Sequence, residues 1–366
     1  MSLGIKRSVQ QNIWKGPFLK VFIVNIMLSF GVFAMNTLSA TFADYLGAKA
    51  MIVGLVSSLF ALTAMIFKLF AAPAIDTLNR KHILMAAVAI IIVSFVGYIF
   101  STTIPLLIIS RLLAGVGLAF TTTTCLTIAS DALPVERMSS GIGVFSLGSV
   151  ICQAIAPTIG LKLVENQGYT FTFILLTVEM LAAFAVISTM KIEFTRNKMF
   201  YVSIRSVIAQ EALLPTIILF LLNLTFSVVN AFLVLYATKQ GINSNIGFFF
   251  TVYALSMLIS RPIVGKLADK HGTVAILMPC ALIFAASFLI ISFATSLPLL
   301  LVAAFVSAFG YGGCFPVLLA ACMTSVSPER RGAAISTGYI GLDLANLLGP
   351  VSAGLIIQSF GYTSMW

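Results

Sequence analysis

Between positions 18 and 358 the chain alternates long apolar runs with short polar breaks. Eleven runs reach or approach the roughly 20 residues that a helix needs to cross a bilayer. They fall at about 18–43, 50–74, 82–101, 105–130, 139–163, 168–190, 213–238, 246–267, 273–294, 298–324 and 332–358. In hydrocarbon a helix satisfies its own backbone hydrogen bonds, so the pattern predicts an all-α integral membrane protein. The first run far exceeds the roughly 7–15 apolar residues of a cleavable leader and is expected to stay as the first membrane helix.

Composition agrees with this reading. Of 366 residues, 60% are hydrophobic and only 9% are charged, more apolar side chain than a water-soluble core can use. The net charge of +10 does not make a nucleic-acid binder, because the basic residues are scattered over short loops without a basic face among aromatics. Fifteen of the 21 Lys and Arg residues fall on one side of the predicted helices and three on the other, which predicts a cytoplasmic N-terminus in the plasma (inner) membrane. The remaining three, Lys68, Arg111 and Arg261, lie inside membrane segments. All five cysteines also lie in apolar segments, with no CxxC or His spacing, so neither metal nor disulfide is expected. His82 and His271 sit at loops beside no nucleophile, so the chain does not read as an enzyme, and no cofactor is implied.

An internal repeat organises the chain. Asp76 and Asp269 each close an apolar run before basic residues, 193 positions apart. The same ungapped offset pairs Gly54 with Gly247, Lys68 with Arg261, Gly117 with Gly310, Glu136-Arg137 with Glu329-Arg330, and Pro157 with Pro350. It also pairs Gly168-Tyr169-Thr170 with Gly361-Tyr362-Thr363. Six helices per unit put both copies in one orientation, as parallel repeats about the membrane normal. The expected organisation is an N-terminal six-helix bundle over 1–192, a cytoplasmic linker over 193–212 and a C-terminal bundle over 213–366. By this register Gly361 opens a twelfth helix, and the sequence breaks off within it.

The stretch Gly265-Lys-Leu-Ala-Asp269-Lys270-His-Gly272, the weaker copy around Asp76, Arg80 and Lys81, and the two parallel halves resemble the major facilitator superfamily. The first copy departs from the family's loop signature at Ala72, Ala74 and Asn79. The resemblance implies a transporter whose loop charges Asp76, Arg80, Glu136, Arg137, Asp269, Lys270, Glu329 and Arg330 form and break a latch between two conformations. The alternative is that these loops carry only topological charge, although topology alone requires no matched acids. Lys68 and Arg261, eight residues before their aspartates, either snorkel to the surface or serve a gate or cavity.

Arg111 lies about six residues inside the fourth run, where a charge costs on the order of 3 kcal/mol. Its context, Arg111-Leu-Leu-Ala-Gly115-Val-Gly117, resembles a family motif associated with proton coupling; a structural ion pair is the alternative. Asp343 sits mid-membrane in the eleventh run, with Tyr339 at i−4 and Asn346 at i+3 on the same helical face. A carboxyl there either carries the coupled proton or ties two helices together by a hydrogen bond. Pro157 with Gly160, and Gly349 with Pro350, resemble the family's exporter-associated motif and are expected to form a hinge between the halves.

Asn25, Asn36, Thr121 to Thr124, Gln153, Asn223 and Asn230 are candidates to line a cavity, and the Phe248 to Phe250 run is expected to face lipid. No Walker-type phosphate loop is present, which argues against an ATP-driven pump. The expected function is proton-coupled export of a small organic molecule by a monomer. Uptake by symport of a sugar, organic acid or amino acid is the alternative on the same fold.

Overall fold

The computed structural model describes residues 16–133, 138–192, 208–242, 245–327 and 331–366. Among these, the long elements are α1 (Pro17–Tyr45), α2 (Ala50–Thr77), α3 (Arg80–Ile99), α4 (Ile104–Asp131), α5 (Met138–Ser188), α6 (Leu213–Lys239), α7 (Phe248–His271), α8 (Thr273–Ser292), α9 (Leu297–Ser307), α10 (Gly313–Thr324) and α11 (Arg331–Phe360), followed by the short α12 (Tyr362–Met365). Ten segments are long and apolar enough to span a membrane, and one of them, 45 residues long, is broken in its course, giving eleven crossings.

The break lies at Gly168, whose φ of 81° and ψ of 172° turn α5 into two arms. Only glycine enters this region cheaply. The apolar pattern predicts a loop from 164 to 167, but those residues are helical and the turn is confined to the one glycine. Gly361 has φ 82° and ψ 176°, so the residue 193 positions later makes the same turn between α11 and α12.

Further pairs at this offset make matching contacts. Gly117 on α4 packs on Ile91 of α3, and Gly310 packs on Phe284 of α8, the residue 193 positions after Ile91. Ser94 Oγ donates to the Ser110 carbonyl at 2.7 Å, tying α3 to α4; Ser287 Oγ meets Ser307 Oγ at 2.8 Å, tying α8 to α9. Small residues and short hydroxyl bonds are how helices approach in a membrane, where lipid and side chain are equally apolar.

Two sets of helices, α1 to α5 and α6 to α12, meet chiefly along α2 with α11 and α5 with α7. Gly54 of α2 lies against the Pro350 carbonyl, and Gly354 of α11 against Ala50 and Met51. Across the bundle Gly247, just before α7, lies against Thr158 of α5, where Thr158 Oγ1 and Thr251 Oγ1 are 3.0 Å apart. Thr251 Oγ1 also donates to the Ala154 carbonyl at 2.6 Å. These contacts lie at the end of the bundle opposite the one that carries Arg80 and Lys270.

The ninth and tenth helices form one interrupted crossing. Between them Ala308–Gly312 is a π-turn, with the Gly313 N–H donating five residues back to the Ala308 carbonyl. Pro316 has no N–H to offer the Gly312 carbonyl four residues earlier. Such wide turns re-aim side chains at functional positions, and here Tyr311 is delivered into the bundle interior.

The contact at Gly54 leads to a prediction. Gly54→Leu forces a side chain into the Pro350 backbone, an overpacking worth about 1–3 kcal/mol. It lowers the thermal unfolding midpoint of the purified protein, whereas Gly265→Leu, where nothing lies within 4 Å of the added Cβ, leaves it unchanged.

Candidate functional site

A cavity of about 270 Å³ lies between the two sets of helices. Asn36 and Phe60 face it from α1 and α2, and Gln153 and Pro157 from α5. Asn223 and Phe226 face it from α6, Tyr253 and Arg261 from α7, and Asn346 and Pro350 from α11. One wall is an aromatic stack, with the Phe226 ring 4.7 Å from both Tyr253 and Tyr311 and inclined by 27° and 24°. Stacked rings offer a flat apolar surface with polar edges.

A network of amides adjoins the stack through Tyr311. Tyr311 Oη donates to Asn223 Oδ1 at 2.6 Å, while Asn223 Nδ2 donates to the Leu342 carbonyl and to Asn346 Oδ1, both at 3.1 Å. The Leu342 carbonyl is an acceptor only, so it fixes which end of the Asn223 amide faces α11, and hence that Asn346 presents its oxygen to Asn223.

Arg111 is 2% exposed. Its Nε donates to the Val56 carbonyl at 3.1 Å, and one terminal nitrogen donates to the Ser57 carbonyl at 3.1 Å and to Asn36 Oδ1 at 3.3 Å. The guanidinium lies 4.5 Å from the Phe60 ring centroid. Among the described residues it has no carboxylate partner, and the charge is held instead by backbone dipoles, one amide and a ring face.

Asp343, 9% exposed, is paired with Lys68. Lys68 Nζ donates to both carboxylate oxygens, at 2.9 and 2.7 Å, and so joins α2 to α11 beside the cavity. Of the two readings of Lys68, the structure places its amine on this carboxylate. Sequence reasoning did not find the partner of either residue. Tyr339 is 43% exposed and is not among the cavity-lining residues, so the expected stripe of Tyr339, Asp343 and Asn346 splits between different surroundings.

Other expectations also divide. Asn36, Gln153, Asn223 and Asn230 line the cavity, but Asn25 donates to Ser149 Oγ at 3.1 Å, and Thr121 to Thr124 are not in the lining. The Phe248 to Phe250 run does not face lipid as a unit. Phe249 and Phe250 are buried, Phe250 reaches the cavity, and only Phe248 is exposed. In the second half Arg261, Tyr253 and Tyr311 enter the site, signalled in sequence only by an intramembrane charge and by Gly310-Tyr-Gly-Gly313.

Of the latch residues, Glu136, Arg137, Glu329 and Arg330 lie outside the described residues, as do the side chains of Asp76 and Asp269. Arg80 forms an ion pair with Asp131, linking the start of α3 to the end of α4, and Lys270 is exposed. At the expected hinge, Pro157 and Pro350 line the cavity from facing sides. Gly349 lies against Ser227 and the Leu224 carbonyl, and Gly160 makes ordinary contacts with Leu38 and Ala34.

Known proteins share this architecture. The family model described as Major Facilitator Superfamily matches residues 21–200 and 215–366. The multi-drug resistance efflux pump PmrA of Streptococcus pneumoniae is 25% identical over 379 aligned positions, covering 96% of this chain and 90% of that one. The staphylopine export protein of Staphylococcus aureus is 25% identical over 272, covering 70% and 67%. Among solved structures, a mutant of the nucleoside transporter NupG superposes with a TM-score of 0.83 at 13% identity, covering 97% of this chain and 95% of that one, a likeness of fold. Such relatives are transporters and not enzymes, and they bind small molecules within a lipid bilayer. With its model matched along almost the whole length, the chain belongs to the Major Facilitator Superfamily of multi-span membrane transporters.

Proposed function

We propose that this protein exports a small organic molecule across the plasma membrane in exchange for protons, by alternating access around the central cavity. The observation that carries the coupling is the Lys68–Asp343 pair, which bridges α2 and α11 next to the amide network of the cavity. A proton on Asp343 removes the charge that holds Lys68, and an unpaired lysine inside the membrane must then find water. Proton binding is thereby tied to a change in the α2–α11 contact. The four-element arrangement, with α2 against α11 and α5 against α7, supports two halves, 1–192 and 213–366, joined by the linker at 193–212 and rocking about Pro157, Gly160, Gly349 and Pro350.

The backbone contacts of Gly54 and Gly247 hold helices together at the end opposite Arg80 and Lys270, which supports a state closed at that end. With a cytoplasmic N-terminus, expected from the distribution of basic residues, this is a conformation closed to the outside. Opening the other way requires the cytoplasmic ends to close, and there the loop charges Asp76, Arg80, Glu136, Arg137, Asp269, Lys270, Glu329 and Arg330 serve as the latch. Arg111 and Asn36 hold α4, α2 and α1 in register beside the site. One chain contains the whole cavity, so the working unit is a monomer.

Export rather than uptake is supported by PmrA and the staphylopine export protein, both export proteins by name. Uptake by symport is the second reading, and the fold alone is compatible with it.

Internal pH of energised inverted vesicles separates these readings. Adding a transported compound to the outside of wild-type vesicles raises the pH of the acidic lumen if the protein is an antiporter. Acidification indicates symport and contradicts export. Asp343→Asn is expected to abolish the substrate-driven pH change. Lys68→Met is expected to reduce it at least about tenfold, since it leaves the Asp343 carboxylate in the membrane without its counter-charge. An unchanged response in both variants removes the pair from the mechanism.

A further inference from the structure

The repeat that gives Lys68 an equivalent at Arg261 does not give Arg261 an equivalent carboxylate. The position 193 residues before Asp343 is Val150, an apolar residue with no charge to offer. Among the described residues the ion pairs are Lys68–Asp343 and Arg80–Asp131, and neither involves Arg261. One terminal nitrogen of Arg261 lies 3.6 Å from Met257 Sδ, a weak acceptor, and its Nε is buried without a partner. The residue lines the central cavity, and no Asp, Glu or Lys stands beside it in that lining. A guanidinium has donors only, so its hydrogen bonds remain to be filled.

Three amides of the same cavity have a matching bias. Asn36 Oδ1 is taken by Arg111, which can only donate, so Asn36 keeps its NH2 for the cavity. Asn346 Oδ1 is taken by Asn223, which leaves the Asn346 NH2. Asn223 itself is consumed, its oxygen by Tyr311 and its nitrogen by Leu342 and Asn346. The oxygens of Asn36, Asn223 and Asn346 are spent on internal contacts while donors from α1, α7 and α11 remain around the Arg261 charge; Gln153 and Asn230, also in the lining, each add an amide NH2 and an oxygen. The third side is the apolar Phe226, Tyr253 and Tyr311 stack.

We infer that the cavity takes an organic anion, a carboxylate on an apolar and preferably aromatic body, with Arg261 as the residue that binds the carboxylate. The planar guanidinium matches a carboxylate in a two-point bond, the amide hydrogens of Asn36 and Asn346 supply further donors, and the rings hold the apolar part. This inference rests on the cavity being the transport site, and it adds the charge of the substrate. It also gives the two repeated cations separate tasks: Lys68 has its carboxylate within the chain, and Arg261 obtains one from the substrate.

Ligand-induced thermal stabilisation of the purified full chain tests this. The probes are 2-naphthoate, its carboxamide and the corresponding naphthylmethylamine, with two further aromatic acids and their amides. Stabilisation by the carboxylates, at concentrations at least about tenfold below those needed for amides or amines, is expected. Arg261→Gln is expected to abolish that preference and Arg261→Lys to keep part of it. Equal stabilisation by acids, amides and amines, no stabilisation by any acid, or selectivity that survives Arg261→Gln overturns the inference. If Arg261→Gln lowers the unliganded midpoint, Arg261→Lys decides, and loss of selectivity with the charge retained overturns it too. Carboxylate binding without any flux in vesicles instead overturns the transport reading and leaves the anion site standing.

Discussion

A charge in hydrocarbon has to be paired, solvated by dipoles or neutralised, and this constraint orders the centre of the protein. Lys68 and Asp343 meet it by bridging two helices, with both carboxylate oxygens within 2.9 Å of the amine. The bridge requires that α2 and α11 run close together. Gly54 against Pro350 and Gly354 against Ala50 provide that approach by leaving out side chains where the backbones touch. Arg111 meets the same constraint another way, through two α2 carbonyls, an amide and a ring. Arg261 does not meet it within the described chain, and the unfilled donors face the cavity.

The proposed function draws on charges that stand where the repeat is broken. Scaffold positions keep their equivalents: Gly117 with Gly310, Ser94 with Ser287, Gly168 with Gly361. Two of the intramembrane charges do not. Asp343 corresponds to Val150 and Arg111 to Ala304, so each unit lacks a charge that the other carries. In the proposed mechanism a symmetric frame lets two conformations exchange inside and outside, while asymmetric charges give the two ends different reasons to open.

The crossings could be read from sequence because their signal is length and apolarity, and both are local. Facing could not. Phe249 and Phe250 were expected to meet lipid and are buried, because a membrane helix is apolar on its lipid side and its protein side alike. The repeat register located Lys68, Arg261 and Asp343 as unusual, but the pairing of Lys68 with a residue 275 positions away depends on which helices become neighbours. The same holds for Arg80 with Asp131, which meet at the ends of α3 and α4 remote from the turn that joins them. The π-turn at Ala308–Gly312 had only its cluster of glycines and Pro316 as a sign, and glycines in membrane helices serve packing just as often.

The central claim is that the Lys68–Asp343 bond holds α2 to α11 and that a proton releases it. Spin labels at Leu78→Cys and Ala333→Cys, near the basic ends of the two helices, report their separation directly when placed in a cysteine-free background. The account predicts that this distance shifts on acidification, and that Lys68→Met shows the shifted distance without acidification. A separation that responds neither to pH nor to Lys68→Met contradicts it.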